Sequence, residues 1–225
     1  MVKIKKHDFI EIEYTGTVKD GNIIFDTTYE DVAKKNDIFN SEFNYGPVKI
    51  MVGNSQILPG LDKFVEDKEP GAYKVSLNPE QGFGKKNSKL LKLIPTNIFL
   101  KQQINPVPGL PINMDGLNGI IKTVSGGRCI VDFNHPLAGK ELEYDLKINN
   151  ILTDEKDKVS AIVEMQIKKN DFELSLENGK GVITLKKDLK KPIKDLIADM
   201  IKKFTGTKEV EFKENISEKK TKKNS

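Results

Sequence analysis

The sequence predicts an α+β protein built mainly from short antiparallel strands. Apolar and polar side chains alternate through residues 9–18, which is the period of a half-buried strand. Turn-forming pairs such as Asp20-Gly21 and Asn178-Gly179 separate apolar runs and are typical of hairpins. Apolar residues spaced by three and four positions predict a short helix at 61–65 and a longer helix that begins at Pro192.

The N-terminal part contains a stretch that suits a pocket. After the first strand, residues 23–25 predict a second strand, Asp26-Thr27-Thr28 offers side-chain caps, and residues 31–39 are weakly helical. Residues 50–61 then predict a buried strand, a tight connection and the short helix. This stretch forms either the floor of an apolar pocket or an ordinary core strand that leads into a core helix.

The middle of the chain changes in character after Gly84. A strand at residues 73–77 precedes a proline-containing stretch in which Thr96 could cap one helical turn. Residues 117–133 predict a hairpin with Cys129 on its apolar face, and residues 142–148 alternate again. The single cysteine therefore has the pattern of a buried structural thiol.

A fully charged segment, residues 154–158, predicts a linker before a small C-terminal module. Alternation at 159–167 predicts a strand, residues 172–185 a hairpin, and Val210 with Phe212 a last strand after the long helix. About 60 residues lie near the lower limit for an independent core. The apolar helix face is therefore expected to pack on its own sheet or, alternatively, on a second copy of the chain in a homodimer.

Composition and charge limit the kinds of partner that this protein is expected to bind. The net charge of +4 is too small for an electrostatic footprint on nucleic acid. A lysine-rich tail, residues 217–225, is expected to be disordered, with nucleic-acid binding as the less favoured reading. No apolar run is long enough to span a bilayer and the first residues lack the apolar core of a signal peptide, so we expect a cytoplasmic protein without membrane contact.

Residues for most catalytic chemistries are not present in recognisable patterns. The two histidines, His7 and His135, have no ligands at zinc spacing, and neither a phosphate-binding glycine loop nor a nucleophile elbow occurs. A reaction without metal, cofactor or nucleophile is rotation about the bond before proline. Its barrier is about 18–20 kcal/mol, and a thousandfold acceleration needs only ~4 kcal/mol.

Seven short motifs occur in order along the chain, namely Tyr14-Thr15-Gly16, Asp20-Gly21, Phe25-Asp26, Val52-Gly53, Gln56–Leu61, Gly82-Phe83-Gly84 and Leu142–Asp145. Their order and spacing resemble those of FKBP-type prolyl isomerases. Residues 85–140, which end in Asn-His-Pro-Leu-Ala-Gly, resemble the insert in the flap of the SlyD-like branch, including long archaeal members. The resemblance covers roughly residues 1–152.

This resemblance implies an antiparallel sheet wrapped over the short helix, with an inserted, mostly β flap domain. It implies an isomerase domain at 1–84 plus 141–152 and an insert at 85–140, whereas the residue patterns above predict a C-terminal α+β domain at 155–216 and the tail at 217–225. It also implies a proline pocket in which Tyr14 and Asp26 orient polar groups and the backbone near Leu58 binds the substrate carbonyl. The implied catalytic residues are Tyr14, Phe25, Asp26, Ile57, Leu58, Leu61, Phe83 and Tyr144.

Further residues are expected to bind substrate. Val48 is expected to line the pocket, and Leu137 to close it from the insert. In the insert, apolar clusters that include Leu93, Ile94 and Phe99 are expected to hold unfolded polypeptides, as in the chaperone domain of SlyD-like proteins. The alternative is that these clusters form the insert's own core.

This chain also departs from the best-known members of the family it resembles. Leu61 stands where they have tryptophan, Val48 replaces an aromatic residue, and Phe83 lacks a tyrosine hydroxyl. Without the resemblance, Tyr14 and Tyr144 would be core aromatics and Asp26 a cap. A rival from another class is a non-catalytic polypeptide holdase on the same fold.

Overall fold

The structure, a computed structural model, describes residues 2–214, and the chain divides into two compact units. The first unit contains the residues up to Ser76 and those from Glu143 onward, and the second is Leu77–Leu142. The helices are α1 Glu30–Lys35, α2 Pro59–Val65, α3 Thr96–Lys101, α4 Glu155–Glu164 and α5 Lys191–Phe204. The strands are β1 Phe9–Val18, β2 Ile23–Thr27, β3 Val48–Met51, β4 Gly71–Leu77, β5 Leu91–Pro95, β6 Pro111–Met114, β7 Leu117–Ser125, β8 Arg128–Asp132, β9 Leu142–Ile151, β10 Phe172–Glu177, β11 Lys180–Leu185 and β12 Glu209–Glu214.

The first unit contains a five-stranded sheet in the order β2-β1-β9-β4, with β3 also paired to β1. The first half of β1 pairs antiparallel with β3 and the second half with β2. The alternation predicted for β1 is confirmed, because Ile10 and Ile12 are buried. The strand, connection and short helix predicted at 50–61 are confirmed as β3 and α2, in which Leu61 and Val65 are buried.

The second unit is a four-stranded antiparallel sheet in the order β5-β8-β7-β6, with α3 beside it. The predicted hairpin is β7 and β8, joined at Gly126 and Gly127, both with positive φ (56° and 73°). Cys129 is buried as expected. The core of this unit is formed by Ile94, Phe99, Ile121, Cys129 and Val131.

The C-terminal part of the first unit corrects the sequence prediction. Residues 159–167 were expected to be a strand, but α4 occupies Glu155–Glu164. Asp154 accepts a hydrogen bond from the Asp157 N–H at 3.0 Å, so the predicted charged linker is a helix cap and first turn. Val159, Ile162 and Val163 lie at helical spacing, and all three are buried.

Other predictions for this part are confirmed. The hairpin is β10 and β11, α5 is the expected long helix, and β12 pairs parallel to β11. Ile197 and Ile201 of α5 are buried in the core that contains α4 and β11. The apolar helix face thus packs in this core and, through Phe204, on the His7 ring, while homodimerisation through it stays a prediction.

The C-terminal module shares its core with the N-terminal sheet. Phe9, Met51 and Leu152 are buried in one cluster with α4, β11 and α5. Lys49 of β3 forms an ion pair with Asp157 of α4. The two parts are therefore packed together through both apolar and charged contacts.

The expected disordered tail, residues 217–225, lies outside the described residues. Within residues 2–214, no helix has the length and apolar character needed to cross a bilayer.

Candidate active site

Pairing of β1 with β2 brings the first predicted site residues together. Gly16 lies opposite Asp26, and Thr15 opposite Thr27. The Tyr14 hydroxyl donates a hydrogen bond to Asp26 Oδ2 at 3.1 Å. Two residues that are 12 apart in sequence thus become one polar pair at the end of the sheet.

Aromatic rings from three strands meet beside this pair. The Tyr144 ring lies 5.8 Å from the Tyr14 ring and 5.9 Å from the Phe25 ring, with interplanar angles of 60° and 87°. Edge-to-face contacts of this kind are the favoured geometry for aromatic pairs. Tyr144 is only 3% exposed and does not itself line the cavity described below, so its ring supports Tyr14 and Phe25 from within the fold.

Gly16 makes this arrangement possible because it has no side chain. A Cβ atom at position 16 would lie 2.8 Å from Tyr144 Cε1 and 2.9 Å from Phe25 Cζ. These distances are shorter than a carbon–carbon contact allows. The glycine therefore lets the two rings pack over the strand.

Burial changes the acidity of the polar groups. Burial, followed by the nearby Asp26 carboxylate, raises the pKa of Tyr14, and burial likewise raises the pKa of Tyr144. Both phenols are therefore protonated at neutral pH. Burial also raises the pKa of Asp26, although hydrogen bonds from the Tyr14 hydroxyl and the Thr27 backbone oppose the shift. The carboxyl stays partly open to solvent.

Two threonines fix the end of β2 against β1. Thr28 Oγ1 accepts a hydrogen bond from the Tyr14 N–H at 2.9 Å, and Thr27 Oγ1 donates to the Tyr14 carbonyl at 3.1 Å. We expected these side chains to cap the following helix. The residue at the helix N-cap is instead Tyr29, without a side-chain cap bond. The two buried hydroxyls thus form hydrogen bonds to the backbone of β1 and do not cap the helix.

These residues border a cavity of about 350 Å³, within the range of small-molecule and peptide sites. The sequence predicted four of its wall residues, namely Tyr14, Phe25, Asp26 and Val48. The segment between β2 and β3, residues 28–47, supplies most of the others, which the sequence did not identify. The complete lining is Tyr14, Phe25, Asp26, Thr27, Thr28, Ala33, Ile38, Phe43, Asn44, Tyr45 and Val48.

The predicted residues at α2 are not among those that line this cavity. Leu58 is the N-cap of α2, Leu61 is 2% exposed and Ile57 is partly buried. Asp62 fixes the preceding turn, because its carboxylate accepts hydrogen bonds from the Gly53 and Ser55 N–H groups. The role of Ile57, Leu58 and Leu61 in substrate binding stays a prediction.

The remaining predicted residues belong to the second unit. Phe83 stacks on His135 with ring centroids 4.5 Å apart, and the Leu137 N–H donates to His135 Nδ1. Ile94 and Phe99, expected to bind clients, are 8% and 2% exposed because they form the core of this unit. For these two residues the structure thus supports the core alternative.

Leu93, in contrast, is 57% exposed.

No group of three histidine, cysteine or acidic side chains in the described part of the chain is arranged to hold a metal ion.

Comparison with known proteins identifies the family. A family model described as FKBP-type peptidyl-prolyl cis-trans isomerase matches residues 2–105, and one for the insert (IF) domain of FKBP26 matches residues 92–137. The chain is 36% identical over 149 residues to a short-type peptidyl-prolyl cis-trans isomerase of Methanocaldococcus jannaschii, covering 66% of this chain and 94% of that protein. The chain belongs to the FKBP-type peptidyl-prolyl cis-trans isomerases.

Bacterial family members are also similar. A probable 16 kDa FKBP-type isomerase of Pseudomonas fluorescens is 30% identical over 121 residues, with coverage of 51% of this chain and 79% of that protein. SlyD of Haemophilus influenzae is 25% identical over 161 residues, with coverage of 65% and 72%. The predicted resemblance to the SlyD-like branch with an insert in the flap is confirmed. The protein is thus a peptidyl-prolyl isomerase of the FKBP type.

Proposed function

We propose that the cavity beside Tyr14 and Asp26 is where this FKBP-type isomerase binds the prolyl bond of its substrates. The observation that carries the proposal is that Tyr14 and Phe25, both packed on the buried Tyr144 ring, line this cavity beside the hydrogen bond between Tyr14 and Asp26. Proline is an apolar ring, so aromatic walls suit it, while the polar pair can orient the adjoining amide.

Catalysis here rests on binding the twisted amide better than the planar one. The planar bond is stabilised by charge separation across the amide, which an apolar wall solvates poorly. The protonated Tyr14 hydroxyl is held by Asp26 and supplies a fixed dipole without any rearrangement. We further propose that Ile57, Leu58 and Leu61 complete the pocket, Leu58 through its backbone N–H. No covalent intermediate or cofactor is needed.

Isomerisation of a prolyl tetrapeptide, followed by a protease-coupled assay, tests the cavity. Phe25→Ala should lower kcat/KM at least tenfold, because it removes one wall. Ile23→Ala is the matched control on the same strand, since Ile23 is 62% exposed and does not line the cavity. Equal activity of the two variants would exclude this cavity as the site. An inactive wild-type chain that still suppresses aggregation would support the holdase alternative.

We also propose that the insert, residues 85–140, binds unfolded polypeptides as a chaperone domain. Its surface presents exposed apolar side chains beside the buried core, and Leu93 lies directly opposite Ile130 in the sheet. Polypeptide-binding surfaces are typically contiguous exposed apolar patches. The insert has eight exposed large apolar side chains from which we propose that such a patch forms. They are Leu91, Leu93, Ile98, Leu100, Val107, Leu117, Val124 and Ile130.

The chaperone proposal predicts that changes in the insert affect the refolding of proteins but not the isomerisation of small peptides. A Leu93→Ser, Leu100→Ser double variant should isomerise the tetrapeptide normally but slow the refolding of a proline-limited protein several-fold, because both side chains are 57% exposed. Deletion of 85–140 with a short bridge should give the same pattern. If refolding catalysis is unchanged in both, the insert does not hold clients. Client identity and the cytoplasmic location stay predictions.

A further inference from the structure

The cavity beside Tyr14 does not end at its own walls. Phe43, Asn44 and Tyr45 also line a second cleft of about 440 Å³. The opposite side of this cleft is formed by Lys169 and Asn170. These two residues belong to a single 3-10 turn, Lys169–Asp171, between α4 and β10. The two cavities are therefore neighbours that share one aromatic wall.

Contacts on both sides hold the shared wall. The Phe39 ring stacks on Tyr45 at a centroid distance of 5.4 Å, and the Asn40 N–H donates to the Tyr45 hydroxyl at 3.0 Å. From the C-terminal module, Lys168 Nζ donates to the Glu42 carbonyl at 3.2 Å. The segment between β2 and β3 is thus tied to the C-terminal module beside the cleft.

The chemistry of the cleft suits a polypeptide. Phe43 is 66% exposed and Phe39 is 43% exposed, which is unusual for phenylalanine away from a binding surface. Asn170 adds an amide that can pair with a peptide backbone. Glu30, which also lines the cleft, is paired with Lys34 at 2.6 Å, whereas Lys169 adds a positive charge on the other side.

We propose that this cleft is a subsite for the part of the client chain that flanks the proline, and that Lys169 favours an acidic client side chain there. The inference rests on the proposed function of the cavity beside Tyr14. An extended chain advances about 3.3 Å per residue, so residues a few positions from the proline pass beyond the first cavity. Contacts made by such remote residues strengthen binding of long clients without acting on tetrapeptides.

The test is a glutamate scan of a ten-residue peptide with one central proline. Each flanking position carries Glu or Lys in turn, and both the Kd from fluorescence titration and kcat/KM are measured at low ionic strength. For wild type, at one position or two neighbouring positions, Glu should bind twofold to fivefold more tightly than Lys, as expected for a solvent-exposed charge pair. Added salt at 0.5 M, roughly a 4 Å screening length, should remove the preference.

Charge reversal assigns the preference to the cleft. Lys169→Glu should reverse the preference at the same position, and Lys169→Gln should abolish it. Lys187→Glu is the matched control, because Lys187 is an exposed lysine of the same module that does not line the cleft. A scan without any preference, or a preference that Lys169→Glu leaves unchanged, would overturn the subsite.

The same experiment separates the two proposals. All four proteins should isomerise the tetrapeptide with equal kcat/KM, because it is too short to reach the cleft. If the peptides show the Lys169-dependent preference but Phe25→Ala isomerises the tetrapeptide as fast as wild type, only the proposed proline site is contradicted. If Phe25→Ala loses tetrapeptide activity as expected but no scanned position prefers Glu over Lys, only the subsite is contradicted.

Discussion

At the scale of single residues, the site depends on groups whose neighbours come from other strands. Gly16 has no Cβ at the point where Tyr144 and Phe25 meet, and Asp26 accepts a hydrogen bond from the Tyr14 hydroxyl. Each of these residues is unremarkable in its own stretch of sequence, where glycine indicates a turn and Asp-Thr-Thr indicates a cap. The sheet register gives them a different use.

Asp26 makes the stability of the protein depend on pH in a defined direction. Its folded-state pKa is raised above the ordinary value of 3.8, chiefly by burial, so the folded chain binds this proton more tightly than the unfolded chain. The resulting stabilisation is fully present below about pH 3.8 and is lost as the pH rises through the folded-state pKa. Asp26→Asn removes this dependence.

The measurement is urea unfolding of wild type and Asp26→Asn between pH 3.5 and 7, within about the range where a raised carboxyl titrates. The free energy of unfolding of wild type relative to the variant should fall as the pH rises. A difference that is constant, or that grows with pH, would show that the pKa of Asp26 is not raised.

At the scale of elements, α4 joins the C-terminal module to the N-terminal sheet. It packs on β3 through the cluster that contains Phe9 and Met51, while Lys49 and Asp157 pair at its edge. Since β3 begins with Val48, which lines the cavity beside Tyr14, the helix supports the strand that carries a wall residue. The module is thus part of the structure around the site.

Ile162→Ala tests this support. Ile162 is fully buried in the shared cluster, so its truncation should lower the free energy of unfolding by about 2–5 kcal/mol. Leu196→Ala on α5 is the control, because Leu196 is 48% exposed, and it should change stability by less than about 0.5 kcal/mol. Chemical denaturation of both variants provides the comparison, and a loss below 1 kcal/mol (about a fivefold change in the unfolding constant) for Ile162→Ala would contradict the shared core.

At the scale of the whole molecule, the family to which the chain belongs accounts for its first two thirds. The two family models match residues 2–105 and 92–137, and the second of these ranges lies inside the second compact unit. The C-terminal module comes after the residues that these models match. Its packing against Phe9, Met51 and Leu152 nevertheless makes it part of the first unit.

Truncation after Leu152 tests this unit. The shortened chain should unfold at lower urea concentration than the full chain and bind a dye for apolar surface, because the three apolar side chains lose their cover. A chain that ends at Glu214 is the control and should match the full chain in both measurements. If residues 1–152 alone are as stable as the full chain, the two parts have independent cores.

The sequence by itself determined the elements whose pattern is local, and the family. Alternation in β1 and β9, turn residues in the hairpins and the apolar face of α5 act between near neighbours, so they are visible without the fold. The pattern was ambiguous at 159–167, where Val159 and Val163 satisfy both a strand and a helix, and the capping bond of Asp154 accompanies the helix.

Tertiary structure alone decided the rest of the site. The wall formed by Phe43 and Tyr45, the cleft with Lys169 and the core shared by Met51 and Ile162 all join residues far apart in sequence. A single sequence has no periodic signal for such contacts, because they depend on how finished elements pack. The sequence therefore identified the reaction and four wall residues of the candidate pocket, and the fold showed which distant segments surround them.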